Sequence, residues 1–335
     1  MYEIAVVPGD GIGPEVIEAA LHVIDPLIDA EFVECEAGDE CAEKRGDPLP
    51  EETLETCREA DAVLFGAAGE TAADVIVRLR QELDLYANVR PVRGFEGLRE
   101  LTGEPYVRDD VDLVIVRENT EGLYSGVEGR FRDAAYTLRI ITEEGARRIA
   151  EIACDIAEDR GADTVTCVHK ANVMRETCGL FRDVCKEVVE ERGLKFEEYY
   201  VDAAAMFLIT EPERFDVMVT PNMFGDILSD EAAALVGGLG LAPSANLGEE
   251  HALFEPVHGS APDIAGKGIA NPIAAILSAA MMLEWLGEKE AAEAVWEAVG
   301  DAIRERCVTP DLGGDKRTME VAEFIRERAL SRVES

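Results

Sequence analysis

Short apolar runs that break off at glycine or polar residues, each followed by a helical stretch, are the feature that most limits how this chain can fold. The first run, EIAVVP, leads into GDGIGP, and Pro14 stands where the next helix would begin. The same pattern returns in DAVLFGA, VDLVIVREN and FDVMVTPN. Because strands alternate with helices nearly throughout, the sequence predicts an α/β fold with a largely parallel sheet, whose polar strand ends carry ligands.

Two of the expected helices differ in their surroundings. The stretch EEGARRIAEIACDIAEDRGA is amphipathic at helical spacing and ends at Gly161, before the strand TVTCVHK. After Asn271, by contrast, PIAAILSAAMMLEWLG is apolar almost all round, which indicates a helix buried in the protein. At 335 residues the chain is long enough for two lobes or one large α/β domain.

The chain carries 70 acidic and 32 basic residues, a net charge of −38. Such a surface repels nucleic acid and anionic membranes, so neither is expected as a partner. No run approaches the roughly 18 apolar residues of a membrane helix, and the N-terminus is typical of a strand and not of a signal peptide, which favours a cytoplasmic protein. The acidity also leads to the hypothesis of a salt-rich source cell, whose ions would screen the self-repulsion.

Eight cysteines are scattered along the chain without a C-x-x-C pair or zinc-ligand spacing. In a long chain without a signal peptide, they are most simply reduced thiols packed in the interior. Metal or redox roles for them are the lesser alternative.

The first motif is Gly9-Asp10-Gly11-Ile12-Gly13, between the first strand and the first helix. A glycine turn there would allow a pyrophosphate to bind at the helix N-terminus. However, its spacing is G-x-G-x-G and not the G-x-G-x-x-G of dinucleotide-binding folds. A tight turn without a ligand is therefore favoured.

The second motif is GDILSD, which contains Asp226 and Asp230. If a helix starts near Gly225, the two carboxylates lie one turn apart on the same face. Their repulsion would be relieved by a cation, and oxygen ligands favour Mg²⁺ or Mn²⁺ over zinc. The alternative is a pair of solvated acids on an acidic surface.

Basic residues are scarce against this acidic background, and three arginines stand at motif-like positions: Arg80, Arg90 and Arg117. The planar guanidinium suits bidentate binding of carboxylates, although each alone is more simply a surface ion pair. Lys170 follows His169 at the end of the strand TVTCVHK, and a lowered pKa would make it a general base. The alternative is an exposed lysine at a strand end.

The longest motif runs from Phe254 to Pro272, FEPVHGSAPDIAGKGIANP. It is too rich in glycine, proline and small residues for a regular element, which predicts a long loop before the buried helix. Loops of this length are usually functional, so both a ligand loop and a structural loop are open interpretations.

Together these segments resemble the β-decarboxylating dehydrogenases, the family of isocitrate, isopropylmalate and homoisocitrate dehydrogenases. The resemblance covers nearly the whole chain, and its GDILSD and EPVHGSAPDIAGKGIANP strings are highly specific. The matching segments, in order, are GDGIGPE, LFGAAGETAAD, ANVRP, VRENTEGLY, HKANV, VDAAAM, GDILSDEAAALVGGLGLAPSA, EPVHGSAPDIAGKGIANP and TPDLGG.

The resemblance implies an α/β, isopropylmalate dehydrogenase-like fold with two lobes around a cleft, distinct from the Rossmann fold. Residues 1–94 and 237–335 would form the first, cofactor-binding lobe. Residues 95–236 would form the second lobe, responsible for dimerisation and for binding substrate and metal. Members of the family are homodimers or tetramers whose active sites are shared across the interface.

The resemblance also assigns roles to individual residues. The three arginines would bind the two carboxylates of a malate moiety. Lys170 of the partner subunit would take the hydroxyl proton while hydride passes to the nicotinamide, and Tyr124 would protonate the enolate left by CO₂. The Mg²⁺ or Mn²⁺ ligands would be Asp226, Asp230 and, from the partner subunit, Asp202.

The long loop matches the cofactor loop of the family. Asp263 stands where NAD-dependent members place an acid against the adenosine ribose, which would repel a 2′-phosphate. NADP-dependent relatives carry basic or aromatic residues at this point, so NAD is the expected cofactor. The residues expected to contact it are His258, Gly259, Ser260, Ala261, Asp263, Ile264 and Asn271.

In this family, residues just before the position of Arg80 contact the substituent on C3 of the substrate and distinguish one substrate from another. Here Ile76 and Val77 are apolar and Asp74 is anionic, so an additional carboxylate would meet repulsion and no donor. An isopropyl group suits that wall, at about 0.8 kcal/mol per buried methylene. The expected reaction is the oxidative decarboxylation of 3-isopropylmalate to 2-oxo-4-methylpentanoate, in leucine biosynthesis, with 3-methylmalate as a second substrate.

Four alternatives stay open at this stage. The family also includes homoisocitrate and isocitrate dehydrogenases, and Arg78 would alter the pocket if it turned inward. A plain Rossmann 2-hydroxy acid dehydrogenase and a non-enzymatic acidic protein that binds structural metal are the other two. Both of these leave HKANV, Tyr124 and the cofactor loop unexplained.

Overall fold

The computed structural model describes residues 1–334; Ser335, the last residue of the expected first lobe, lies outside them. The strands are β1 Tyr2–Gly9, β2 Ala30–Glu34, β3 Ala62–Ala67, β4 Ala87–Arg93, β5 Asp112–Glu118, β6 Glu128–Phe131, β7 Ala134–Thr137, β8 Thr164–His169, β9 Lys195–Tyr200, β10 Val217–Thr220, β11 Pro243–Leu247 and β12 Ala252–Pro256. The helices are α1 Gly13–Ile24, α2 Asp39–Arg45, α3 Glu51–Glu59, α4 Arg78–Glu82, α5 Leu98–Thr102, α6 Glu143–Arg160, α7 Thr177–Glu191, α8 Val201–Thr210, α9 Asn222–Leu235, α10 Ile273–Trp285, α11 Lys289–Arg304 and α12 Thr318–Val333.

Ten strands form one mixed sheet in the order β2-β1-β3-β12-β11-β4-β5-β10-β8-β9. Its two outer blocks are parallel, which confirms the predicted α/β architecture. The blocks are joined at the centre by three antiparallel pairings, β12 with β11, β11 with β4 and β4 with β5. The blocks therefore run in opposite directions, so their C-terminal strand ends lie at opposite edges of the sheet.

Strand β1, within the block β2-β1-β3-β12, is buried on both faces. In β1, Ile4 and Val6 join the large hydrophobic core, whereas Ala5 and Val7 join a second core on the opposite face. Side chains of neighbouring residues alternate between faces, so a continuous apolar run is what a doubly covered strand requires.

The predicted helices are found, with the environments expected for them. Helix α10 is buried from Ile273 to Leu283 apart from Met281, and it packs against β11, β12 and α1. Helix α6 is amphipathic; the hydroxyl of Thr142 accepts a hydrogen bond from the Gly145 amide at its start, and Gly161 ends it in the left-handed conformation. Within residues 1–334, no helix is both long and apolar enough to cross a membrane.

Two further features bear on the sequence predictions. All eight cysteines are free thiols and all but Cys307 are buried, as expected for reduced, packed residues. The long loop begins later than predicted, because Phe254 belongs to β12, where it is buried between β3 and β11. An apolar residue flanked by two paired strands stays in the sheet despite the glycines that follow.

The excess of acidic residues should make stability depend on salt. Ion pairs between exposed side chains contribute at most about 1 kcal/mol each, and 32 basic residues leave most of the 70 acidic ones uncompensated. Salt screens this repulsion more than it weakens the pairs, so we expect the Tm to rise by several degrees between low and molar KCl at pH 7. Thermal unfolding followed by circular dichroism measures this; an equal Tm in both buffers would contradict the expectation.

Candidate active site

Helix α9 presents a polar face to the centre of the sheet. Asn222, Asp226, Ser229 and Asp230 follow one another at the spacing of a single helical face. The helix begins at Asn222, just after Pro221, so Asp226 and Asp230 project from the same side, as the GDILSD motif predicts.

Arg117, at the end of β5, is the most buried of the basic residues, with 1% of its surface exposed. Its Nε and Nη2 atoms donate to Asn222 Oδ1 at 3.0 and 2.7 Å, and its Nη1 atom donates to an oxygen of Asp226. Gly225 makes this approach possible, because a Cβ at that position would lie 2.7 Å from the Arg117 side chain.

Arg90, on the neighbouring strand β4, faces the same helix. Its Nη1 atom donates to Ser229 Oγ at 2.6 Å and lies 3.5 and 3.6 Å from oxygens of Asp226 and Asp230. Both carboxylates therefore lie around one guanidinium, although only Asp226 is held by direct hydrogen bonds.

Arg80 completes the basic cluster from helix α4. It is buried and donates from Nη2 to Glu255 Oε1 at 2.9 Å, while its Nε is buried without a partner in the described residues. The three predicted arginines thus converge, and the structure pairs them only in part with acidic groups.

Burial and proximity shift the pKa values in this cluster. Burial, reinforced by Arg90, lowers the pKa of the Arg117 guanidinium. Burial opposes ionisation of Asp226, but Arg117 and Arg90 together hold its pKa below the usual range. Burial raises the pKa of Asp230. The arginines repel one another because their positive charges lie close together. Such a cluster is suited to binding an anion with more than one carboxylate.

Tyr124 adjoins this cluster. Its hydroxyl donates to Asp226 Oδ2 at 2.8 Å, and Arg117 lies over its ring with Cζ 5.2 Å from the centroid. Burial and the hydrogen bond to Asp226 raise the pKa of the phenol, so it remains protonated at neutral pH and can serve as a proton donor.

Lys170 and Asp202 form a separate pair. Lys170 follows β8, Asp202 lies in the first turn of α8, and the lysine Nζ donates to Asp202 Oδ1. Asp202 is largely exposed, and Lys170 also lies 5.8 Å from the ring centroid of Tyr200. The side chain of Asp226, by contrast, contacts Arg117, Arg90 and Tyr124. The Lys170–Asp202 pair is therefore separate from the cluster around Asp226.

A cavity of about 160 Å³ opens beside the arginines. Ala72, Ile76 and Arg80 line it at intervals of four residues, from a π-helical turn at Ala73–Val77 that continues into α4. Val77 is half-buried outside this lining, and Asp74 is exposed. Arg78 points away, because its Nη1 donates to Leu49 O at 3.0 Å.

The far side of the same cavity is formed by His258 and Gly259, at the start of the cofactor loop. The Nε2 atom of His258 is buried without a partner in the described residues, and burial lowers the pKa of its imidazole. Ser260 and Ala261 follow, the latter with a φ of +39°. An orphaned buried nitrogen beside an open loop fits a ligand that brings an acceptor or donor, as the expected cofactor would.

The remaining loop residues are placed differently. Asp263 is exposed and Ile264 is half-buried. Asn271 is engaged within the chain, since its amide donates to Asp311 Oδ2 at 3.0 Å and its oxygen accepts from the Ile273 amide at 3.0 Å. Asn271 therefore holds the start of α10.

Sequence reasoning missed four residues that shape this site: Asn222, Ser229, Glu255 and Ala72. Asn222 and Ser229 lie within or beside the GDILSD motif at helical spacing, which is the signal that would have found them. No comparable signal marks Glu255, whose pairing with Arg80 spans 175 positions.

The donors present fit a hard divalent cation. Asp226 and Asp230 offer only carboxylate oxygens, which Mg²⁺ and Mn²⁺ prefer. Across residues 1–334, no three or more His, Cys, Asp or Glu side chains gather into a group that would hold a metal ion. Two carboxylates from one chain would thus need further oxygen ligands from substrate, water or another subunit.

Known proteins resemble this chain along its whole length. Residues 3–327 match the family described as isocitrate/isopropylmalate dehydrogenase. A 3-isopropylmalate dehydrogenase from Archaeoglobus fulgidus is 57% identical, covering 96% of this chain and 98% of that protein. A 3-isopropylmalate/3-methylmalate dehydrogenase from Methanocaldococcus jannaschii is 55% identical, covering 98% of this chain and 99% of that one.

Among solved structures, an isocitrate dehydrogenase from Methylococcus capsulatus superposes with a TM-score of 0.93. It is 45% identical and covers 98% of this chain and 99% of its own. The fold is therefore that of these dehydrogenases and not a Rossmann fold, and the chain belongs to the isocitrate/isopropylmalate dehydrogenase family.

Proposed function

We propose that this protein catalyses the NAD- and divalent metal-dependent oxidative decarboxylation of 3-isopropylmalate to 2-oxo-4-methylpentanoate, a step of leucine biosynthesis. The observation that carries the proposal is the cavity in which two of the three buried arginines, Arg80 and Arg90, meet an apolar wall formed by Ala72 and Ile76. The names of the relatives from Archaeoglobus fulgidus and Methanocaldococcus jannaschii support the same substrate class.

The arginines bind the two carboxylates of the malate core, and the apolar wall receives the substituent on C3. An additional carboxylate at that wall would lose its hydration without gaining a donor, a penalty of several kcal/mol. An isopropyl group instead gains about 0.8 kcal/mol for each methylene that it buries. Isocitrate and homoisocitrate carry that additional carboxylate, which is why they rank below 3-isopropylmalate and 3-methylmalate.

Two side chains move protons in this reaction. Lys170 of the partner subunit takes the proton of the C2 hydroxyl, and Tyr124, protonated at neutral pH, gives a proton to the enolate carbon. Asp226 and Asp230, with Asp202 of the partner subunit, would hold Mg²⁺ or Mn²⁺, which supplies charge stabilisation at the developing carbonyl and enolate. His258 and the following loop would hold NAD, which would supply the hydride acceptor.

The loop residues favour NAD over NADP. The Asp263 carboxylate would accept hydrogen bonds from both ribose hydroxyls and repel a 2′-phosphate. Ile264 beside it offers no cationic or polar group for that phosphate. Gly259, Ser260 and Ala261 keep the loop small enough for the cofactor to approach the backbone.

We also propose a homodimer, or a tetramer of such dimers. The hairpin β6–β7 pairs with no other strand in the described part of the chain. It exposes Phe131 and Tyr136 to solvent, and the segment that follows it exposes Leu138 and Ile140. An isolated hairpin is marginal in water unless something covers it. Arg139, in the segment after the hairpin, lies over the ring of Phe224, but its buried Nε and Nη2 atoms have no hydrogen-bond partner among residues 1–334. A second subunit would cover the apolar side chains and supply acceptors.

The division into two lobes is part of the same proposal. Residues 1–94 and 237–335 would form one lobe and residues 95–236 the other. The strand order of the sheet supports this division. One half of the sheet contains β1 to β4, β11 and β12, which come from residues 1–94 and 237–335, and the other half contains β5, β10, β8 and β9, which come from residues 95–236.

The proposed function is tested directly by the absorbance of NADH in the presence of purified protein, NAD, Mn²⁺ and 3-isopropylmalate. We expect turnover, its loss on adding EDTA, and its return with excess Mn²⁺. Isocitrate and homoisocitrate should give kcat/KM values at least about a hundredfold lower, because each leaves a buried carboxylate unpaired. Faster turnover of either one than of 3-isopropylmalate would overturn the substrate assignment.

Residues 263 and 264 should determine the preference for NAD over NADP. Replacing Asp263 with Lys and Ile264 with Tyr removes the repulsion of the 2′-phosphate and adds a cationic donor. We expect the ratio of kcat/KM for NADP to that for NAD to rise at least tenfold, on the order of one gained charge-assisted hydrogen bond. Lys267→Ala, in the same loop, is the control. A double variant with an unchanged ratio would show that these residues do not read the ribose.

A shared active site predicts complementation between two inactive variants. Lys170→Ala lacks the base and Tyr124→Phe lacks the enolate acid, so each homodimer should be nearly inactive. In the heterodimer, the site on the Lys170→Ala chain has its own tyrosine and receives an intact lysine, whereas the other site carries both lesions. Refolding an equimolar mixture gives about half heterodimers, so about a quarter of wild-type activity should return. Confirmed heterodimers without activity would place both residues in one chain's site.

A further inference from the structure

The turn Gly9–Gly13 contains a buried carboxylate that the proposed function does not use. Asp10 lies between β1 and α1 and is 8% exposed. Its two oxygens accept the Asp39 amide at 2.9 Å each, and Oδ2 also accepts the Gly69 amide at 2.9 Å. The carboxylate of Asp10 therefore joins three segments that are far apart in the chain.

The Asp39 carboxylate likewise accepts backbone amides, from the two residues that follow Gly69. Its Oδ2 accepts the Glu70 amide at 2.9 Å, and its Oδ1 accepts both the amide and the hydroxyl of Thr71 at 2.8 Å. The hydrogen bond from the Thr71 amide lowers the pKa of Asp39, so the carboxylate is ionised at neutral pH. Three successive amides, at residues 69 to 71, are thus held by two carboxylates.

The packing at these contacts leaves no space for a side chain. A Cβ at Gly38 would lie 2.3 Å from the Asp10 carboxylate, and one at Gly69 would lie 2.0 Å from that of Asp39. The held segment then runs into the π-helical turn Ala73–Val77 and α4, which carry Ile76 and Arg80 into the substrate cavity.

The other side of the same turn contacts the cofactor loop. The Ile12 amide donates to Ser260 O at 2.8 Å. Gly11, at φ +61°, lies so close that a Cβ there would be 2.0 Å from the same oxygen. One five-residue turn therefore touches both the segment that leads to the substrate helix and the loop that follows His258.

We infer that the Gly9–Gly13 turn is a clamp that sets the position of the substrate helix relative to the cofactor loop. Asp10 and Asp39 are positioning residues in this clamp, and through Ile76 and Arg80 they govern discrimination between C3 substituents. This inference rests on the proposed function. Small displacements matter here, since a shift of about 1 Å in a bound substrate costs on the order of a hundredfold in rate.

The clamp predicts that its two sides fail separately. Asp39→Asn exchanges one acceptor oxygen for an amide that faces a backbone N–H, so we expect the KM for 3-isopropylmalate to rise about tenfold, with KM for NAD little changed. Gly11→Ala should instead raise the KM for NAD, with the KM for 3-isopropylmalate little changed. Asp10→Asn should raise the KM values for both 3-isopropylmalate and NAD. Glu43→Gln, which removes an exposed charge from the same helix outside the clamp, is the control.

A milder pair of variants guards against loss of folding. Thr71→Val removes one hydroxyl from the clamp and Thr71→Ser retains it, so the valine variant should raise the KM for 3-isopropylmalate relative to 3-methylmalate and the serine variant should restore it. If Asp39→Asn raises both KM values equally, or if the valine and serine variants behave alike, the clamp is wrong and these residues only stabilise the fold.

Hydrogen–deuterium exchange gives a readout that needs no substrate. In Asp39→Asn, the amides of Glu70 and Thr71, which donate to Asp39, should exchange at least tenfold faster than in wild type, with exchange in α10 unchanged. Unchanged protection at these two amides overturns the clamp whatever the substrate is. Absence of turnover by the wild-type protein, with protection lost in the variant, would instead count against the proposed function alone.

Discussion

The buried guanidinium of Arg117 is the constraint around which the centre of this protein is arranged. A cation removed from water must be paired and hydrogen-bonded, and here the partners are Asn222 and Asp226 on helix α9. Those contacts require a glycine at position 225, fix the rotation of α9 and thereby direct Asp226 and Asp230 toward Arg90. The position of Tyr124 follows, because its hydroxyl is bonded to Asp226 and its ring lies against Arg117.

Much of this organisation could be predicted from local patterns. The strands β1, β3, β5, β8 and β10, the buried α10, the face shared by Asp226 and Asp230 and the family itself all follow from periodicity or from motif strings. The convergence of Arg80, Arg90 and Arg117 could not, because it depends on antiparallel pairings between strands whose apolar content looks like that of parallel ones. The π-helical turn Ala73–Val77 leaves no mark in the residue types, and neither does the presence of Ala72, and not Val77, in the cavity lining.

The distribution of charge in this protein is uneven in a way that matters for its ligands. The chain as a whole carries −38, yet its three site arginines are among its most buried groups. At physiological ionic strength the repulsion of the distant surface acids is screened within about 8 Å, whereas the buried arginines act through a medium of lower dielectric. A small dianion is thus recognised by the few charges nearest to it and not by the net charge.

The order of strands also sets a sequence of folding events. The block β5-β10-β8-β9 is built from a continuous stretch of chain, and its most distant pairing joins Val114 to Val217. The other block is not complete until β12, beginning at Ala252, pairs with β3, which ends at Ala67. Contacts over such separations form slowly and only after the chain between them exists. During synthesis the N-terminal strands β1 to β3 must therefore wait, with an unpaired apolar edge, for most of the chain to leave the ribosome.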